Sequence, residues 1–97
     1  KSGVAPDEAA ALAHAVAVLP RLRLRGRMAI PAPAEGLEAQ RRPHRALHAL
    51  FDRLNAAGLA LDTLSIGMSA DLEAAVLEGA TMLRVGSAIF GARAPIA

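Results

Sequence analysis

Within 97 residues the spacing of apolar side chains switches three times from a helical to an extended pattern. Residues 6–19 read as a helix: Pro6 suits a first helical position, Asp7 and Glu8 complement the N-terminal dipole, and Leu12, Val16 and Leu19 recur on one face before Pro20 stops the run. Residues 21–30 alternate, with Leu22 and Leu24 on one side and Arg21, Arg23 and Arg25 on the other, which predicts a strand whose part from Leu24 onward is the better buried. The proline-rich run at 31–36 is a loop. A second helical stripe, Leu47, Leu50, Phe51 and Leu54, follows it and ends at Gly58, with Pro43 expected at a kink or first turn. Residues 59–66 predict a second strand and residues 70–78 a third helix, with Leu72, Ala75 and Val76 on one face and Gly79 as its stop. Residues 81–85 predict a third strand, and residues 86–91 a turn that opens a short last helix.

Helix–strand alternation with connections this long implies an α/β fold, its strands parallel and its helices outside. Three parallel strands do not close, and both edges of such a sheet are bare, which complete α/β domains avoid by closing a barrel or extending the sheet. The core is also thin: 24 alanines contribute little buried area, and 14 leucines carry most of the rest. No repeat or low-complexity linker divides the chain, and it opens at Lys1 rather than Met. The expectation is one structural unit cut from something longer.

Composition removes several classes of function. The absence of cysteine excludes a disulfide framework and a thiolate metal site, and fits a reducing cytosol. A net charge of +2 with 2% aromatic residues gives no basis for nucleic-acid binding, although Arg21, Arg23, Arg25 and Arg27 form a basic stripe in the sequence. The longest apolar stretch, residues 9–19, is too short to span a membrane and contains His14, and Asp7 and Glu8 speak against a signal peptide.

Chemistry is concentrated after the second and third strands, in Ser65-Ile66-Gly67-Met68-Ser69 and Arg84-Val85-Gly86-Ser87. In a parallel α/β fold both lie at carboxyl ends of neighbouring strands, where ligands bind. The glycines permit close backbone approach. Ser69 begins a helix, where its hydroxyl and the N–H groups of residues 70–72 either cap the helix or receive an anion, and Arg84 offers a planar fork for phosphate oxygens. The bland alternative is an ordinary N-cap and two ordinary turns.

These residues also carry a resemblance. LSIGMSADLEAAVLEGATMLRVGSAIFGAR, from Leu64 to Arg93, resembles the C-terminal signature of the pyridoxal phosphate homeostasis protein family (YggS/PROSC); LRLRGRMAIPAP, from Leu22 to Pro33, resembles its preceding strand and loop, and Lys1-Ser2-Gly3-Val4 its KSG segment. The resemblance covers the whole chain but only the C-terminal two fifths or so of a typical member. It implies part of a TIM-type (β/α) barrel of the fold-type III pyridoxal phosphate (PLP) proteins, like the N-terminal domain of alanine racemase. Residues 1–97 would be the C-terminal part of that single PLP-binding domain, contributing its last three strands, with the N-terminal part absent. It further implies a non-catalytic, cytoplasmic, monomeric protein of vitamin B6 homeostasis. PLP would lie beside Met68, with its phosphate held by Ser69, Arg84, Gly86 and Ser87.

Two departures qualify what is implied. The family's cofactor-anchoring lysine lies on an early strand, whereas the only lysine here is Lys1, which matches a different segment. A noncovalent phosphate subsite is then what the chain retains. Arg27 stands where the family usually has an apolar residue, and an unpaired charge buried there would be costly. Two further readings are a piece of a fold-type III racemase or decarboxylase, and a generic phosphate-binding barrel fragment without a PLP role.

Other polar residues read as surface. His44 and His48, four apart on a helix, have a zinc-ligand spacing but neither the adjacent Glu of HExxH nor a third ligand nearby, so a solvated helical face is the expectation. Asp71, Glu73 and Glu78 are expected as first-turn charge and solvated surface. No carboxylate pair or Ser/His/Asp set assembles from the spacing.

Overall fold

A computed structural model describes residues 3–91; Lys1, Ser2 and Arg93, which carried part of the resemblance, lie outside the described residues. A single 3-10 turn at Pro6–Glu8 leads into α1 (Ala9–Ala17), followed by β1 (Gly26–Met28), α2 (Leu37–Ala56), β2 (Thr63–Met68), a 3-10 turn at Ser69–Asp71, α3 (Leu72–Leu77), β3 (Met82–Arg84) and α4 (Ser87–Phe90). The strands form one sheet in the order β1-β2-β3, and both pairings are parallel. The alternation read from the sequence is therefore the architecture, an α/β fold with its longest strand in the centre.

Helices cover one face of this sheet. Leu64 and Ile66 of β2 are 1% and 0% exposed and pack with Ala75 of α3 and with Ala29, Leu47, Phe51 and Leu83. A second cluster, Ala9, Leu50, Leu54 and Leu61, joins α1 to α2, and Phe51 touches both. The α2 stripe thus faces the core as its spacing predicts. Truncating Leu64 to Ala would cost about 2–5 kcal/mol, the range for a buried leucine. On the other face the register sets Met28 and Met82 on either side of Ser65, and the two methionines are 61% and 53% exposed. That face is open. β1 and β2 also approach so closely that a Cβ on Gly26 would collide with the Thr63 carbonyl, so this position needs glycine.

Several expectations need correction. The first strand is confined to Gly26–Met28: the chain turns through Arg21 at φ 64°, and of the alternating residues before the strand Arg25 reaches β2 only through its carbonyl, which accepts the Asp62 and Thr63 N–H groups at 2.8 and 2.9 Å. The arginine stripe is dispersed accordingly: exposed Arg25 pairs with Asp62 at 2.8 Å, while Arg27 is half-buried beside α1 with its Nη1 buried and unpartnered. Burial holds the Arg27 guanidinium pKa below its ordinary value. The second strand begins at Thr63, later than expected, since the left-handed turn at Ala60 (φ 54°) leaves Leu59 and Leu61 in the core but outside the ladder. Helix α1 ends at Ala17 and buries Ala9 rather than its leucine stripe, with Leu12 and Leu19 about half exposed. Helix α2 has the expected span, but Pro43 lies inside it rather than in its first turn. In α3 the buried pair is Ala74 and Ala75, and Leu72 and Val76 are exposed.

Candidate functional site

At the carboxyl end of the sheet the parallel register breaks. Ser65 lies opposite Met82 and Met68 opposite Arg84, so β2 takes one residue more than β3 over this stretch. The irregularity contains Gly67, at φ 101°, where a Cβ would press on the Cβ of Ala75 and the Cδ2 of Leu83. Only glycine fits that bulge without strain. The bulge delivers Met68 and Ser69 to the strand end, where Met68 is 44% exposed.

A cleft of about 640 Å³ opens there. One wall is the proline-rich loop of Pro31 and Pro33 with Pro43 of α2; another is the 67–71 turn; Gly86, Ser87 and Phe90 close the third side. Of the residues singled out in the sequence, Met68, Ser69, Gly86 and Ser87 all line this cleft. The two loops are tied directly, since Ser69 Oγ accepts a hydrogen bond from the Ala88 N–H at 3.0 Å. Ser69 therefore caps α4 rather than the helix it precedes. No side chain caps α3: Asp71, which precedes it, instead accepts the Met68 N–H on Oδ1 at 2.8 Å and closes the Ser69–Asp71 turn.

Arg84 is placed differently from the expectation. Its guanidinium does not line the cleft: Nη2 donates to the Ala29 carbonyl at 2.9 Å and the Ser65 carbonyl at 3.3 Å, and Nε is buried without a partner. The side chain thus reaches the carbonyl just past β1 and one within β2, and hydrogen bonds from a guanidinium are of the stronger, charge-assisted kind. No carboxylate pairs with it among the described residues.

Of the polar residues expected as surface, Glu73 is exposed, whereas His44, His48, Asp71 and Glu78 make structural contacts. His44 is 0% exposed, and its Nε2 donates to Asp71 Oδ2 at 2.8 Å, which leaves Nδ1 buried without a partner. Desolvation pushes the Asp71 carboxyl pKa up, but the Met68 N–H bond and the His44 contact together hold it below the ordinary value. Glu78, 8% exposed, is bound by Arg41 at 2.6 Å and Arg45 at 3.2 Å, and those bonds hold its carboxyl below the ordinary range. His48 Nδ1 donates to the Glu78 carbonyl at 2.8 Å. Helical spacing brought these residues onto one side of α2 but carried no sign of the acceptors waiting on α3. Gln40, unremarked in the sequence, donates from Nε2 to Ala34 O and Ala70 O and so joins two walls of the cleft. No group of three metal-ligating side chains assembles among the described residues, and no described helix is long and apolar enough to cross a membrane.

Comparison with known proteins finds relatives of the chain. A protein of Pseudomonas aeruginosa named Pyridoxal phosphate homeostasis protein is 57% identical over 93 residues, which cover 96% of this chain and 39% of that protein. The Escherichia coli protein of the same name is 53% identical over 93 residues, covering 96% and 40%. The chain thus spans about two fifths of the length of these relatives. Among solved structures, PipY of Synechococcus elongatus with PLP bound superposes with a TM-score of 0.84 at 30% identity, covering 94% of this chain and 44% of that one. The family described as alanine racemase, N-terminal domain, matches residues 1–94. With that match spanning nearly the whole sequence, the chain belongs to the alanine racemase N-terminal domain family.

Proposed function

We propose that this chain contributes the phosphate-binding end of a PLP-binding barrel whose role is PLP homeostasis rather than turnover. The observation that carries the reading is the convergence of Met68, Ser69, Gly86 and Ser87 on one cleft at the carboxyl ends of adjacent parallel strands. The donor chemistry fits the group. Two hydroxyls and the glycine-containing main chain at 67–70 and 86–87 suit phosphate oxygens, while Pro31, Pro33, Met68 and Phe90 offer apolar surface to an aromatic ring. When bound, PLP supplies a phosphate and a pyridine aldehyde.

The residues divide the work. The 67–71 turn and the start of α4 form the phosphate side, and Ser69 keeps them at a fixed separation through Ala88. Arg84 acts as a positioning residue outside the lining, holding the Ala29 and Ser65 carbonyls and adding positive charge beside the cleft residue Ala29. None of the residues lining the cleft is a lysine, so the contacts these residues make with PLP are noncovalent. Homeostatic binding in the cytosol, by a monomer, is the role this reading assigns. The names of the relatives and the PLP-bound neighbour support the PLP-binding, homeostatic part of that role.

Within the barrel, β1, β2 and β3 are proposed as the last three strands, with the remainder completing the sheet. The exposed Met28 and Met82 and the outer edges of β1 and β3, unpaired among the described residues, support a sheet that continues past these strands. Calorimetric titration of the intact protein with PLP and with pyridoxal tests the functional reading. Saturable binding that prefers PLP is expected; equal affinity for the two, or no binding, contradicts it.

A further inference from the structure

We propose that Gln40 and His44, one turn apart on α2, are positioning residues that clamp the 68–71 turn and thereby set the preference of the cleft for a phosphorylated ligand. The proposal rests on the reading of the cleft as a PLP phosphate site and adds to it the device that fixes its shape.

The clamp has two points. Gln40 Nε2 donates to the Ala34 carbonyl at 3.1 Å and to the Ala70 carbonyl at 3.3 Å, so one amide group holds the proline-rich wall and the turn together. Four residues on, His44 Nε2 donates to Asp71 Oδ2, and the other oxygen of that carboxylate takes the Met68 N–H. The i, i+4 spacing puts both side chains on one face of α2. Met68, Ala70 and Asp71 are thus fixed in succession, and the cleft residue between them, Ser69, is held from the other side by Ala88. Every residue of the turn is accounted for.

His44 is the telling member. It is completely buried, and one ring nitrogen has no partner. Burying an unpaired polar atom is unfavourable, so a histidine chosen for packing alone would be better replaced by an apolar ring. What the imidazole provides, and phenylalanine would not, is a donor to a carboxylate, the stronger kind of hydrogen bond. The carboxylate in turn orients an amide at the floor of the cleft. Neither Gln40 nor His44 is among the donors assigned to phosphate; they act through the turn.

The test uses His44→Phe, which keeps a ring of similar size, His44→Gln, which restores a donor near the Nε2 position, and Gln40→Ala. Amide hydrogen exchange at Met68 and Ile66, and the ratio of PLP to pyridoxal affinity, are measured on the intact protein. The clamp predicts that His44→Phe speeds Met68 exchange about tenfold, leaves Ile66 exchange unchanged and lowers the PLP preference about tenfold, as loss of a charged hydrogen bond implies. His44→Gln should recover most of both, and Gln40→Ala should lower the preference to a smaller extent. Unchanged Met68 exchange in His44→Phe, equal loosening of Ile66, or no recovery in His44→Gln overturns the clamp. A wild-type protein that does not distinguish PLP from pyridoxal defeats the PLP reading instead, and Met68 exchange then decides by itself whether α2 holds the turn.

Discussion

Ser69 and Ala88, 19 residues apart, share a single hydrogen bond in which the Ser69 hydroxyl oxygen accepts the Ala88 N–H at 3.0 Å. That bond makes one site of two loops. It satisfies a donor in the first turn of α4 and fixes the distance between the 67–71 turn and Gly86. Ser69→Ala should weaken PLP binding by about 0.5–1.5 kcal/mol, the usual net worth of such a bond, and Ser69→Thr should restore it. Titration of both variants checks this; a Ser69→Ala protein with wild-type affinity would show that the loops keep their spacing without the hydroxyl.

Arg84 joins three strands. Its guanidinium reaches from β3 to carbonyls at Ala29, just past β1, and at Ser65 of β2. Arg84→Ala should reduce PLP retention by roughly 1.5–3 kcal/mol, the range for hydrogen bonds to a charged group, and lower the thermal midpoint as well. Arg84→Lys keeps the charge without the fork and should recover only part of the loss. If Arg84→Ala retains PLP as wild type does, the residue has no part in the site.

Gly67 should be intolerant of substitution. Gly67→Ala combines a left-handed backbone with contacts to Ala75 and Leu83, and a strained residue of this kind costs about 1–3 kcal/mol before any clash is counted. Denaturant unfolding measures the loss. A change below about 0.5 kcal/mol, the usual size of an innocuous surface substitution, would mean that the bulge relaxes freely.

Acid should destabilise the fold over a defined window. The side-chain hydrogen bond from Arg25, with that from Thr63, holds the Asp62 carboxyl at about 2 against an ordinary 3.8. Because the folded pKa is the lower, the contribution of Asp62 is complete above 3.8 and lost as the pH falls toward about 2. Glu78, held below its ordinary 4.5 by Arg41 and then Arg45, adds a loss of the same sign that begins below that value. Thermal midpoints measured between neutral and acid pH should therefore fall with acidification, and Asp62→Asn should flatten the lower part of the profile. An identical profile for Asp62→Asn would remove Asp62 from this account.

Much of the architecture is legible in the sequence because it depends on period. The change between helical and extended spacing located the three strands and their order, and Leu47, Leu50, Phe51 and Leu54 announced the face that α2 buries. The cleft was legible for a related reason: serine and glycine at two neighbouring strand ends have one place to go in a parallel sheet. Partners across space were not legible. Nothing in the spacing of His44 distinguishes a side chain facing water from one facing Asp71, 27 residues away, and the direction of Arg84 depends on carbonyls of two other segments. Alternation misled at Arg21–Arg25, where a left-handed residue at Arg21, invisible in a pattern of apolar and charged residues, precedes a run that joins the sheet only at the Arg25 carbonyl.

The central claim is that the cleft between the 67–71 turn and Gly86–Ser87 holds a phosphate. The most direct measurement is a crystal structure of the intact protein grown with PLP, with the phosphorus position determined. The account predicts phosphorus within hydrogen-bonding reach of Ser69 or Ser87 and the main chain of the two loops, with the ring toward Met68. A phosphate bound elsewhere on the molecule, or PLP seated with its phosphate away from these loops, would contradict it.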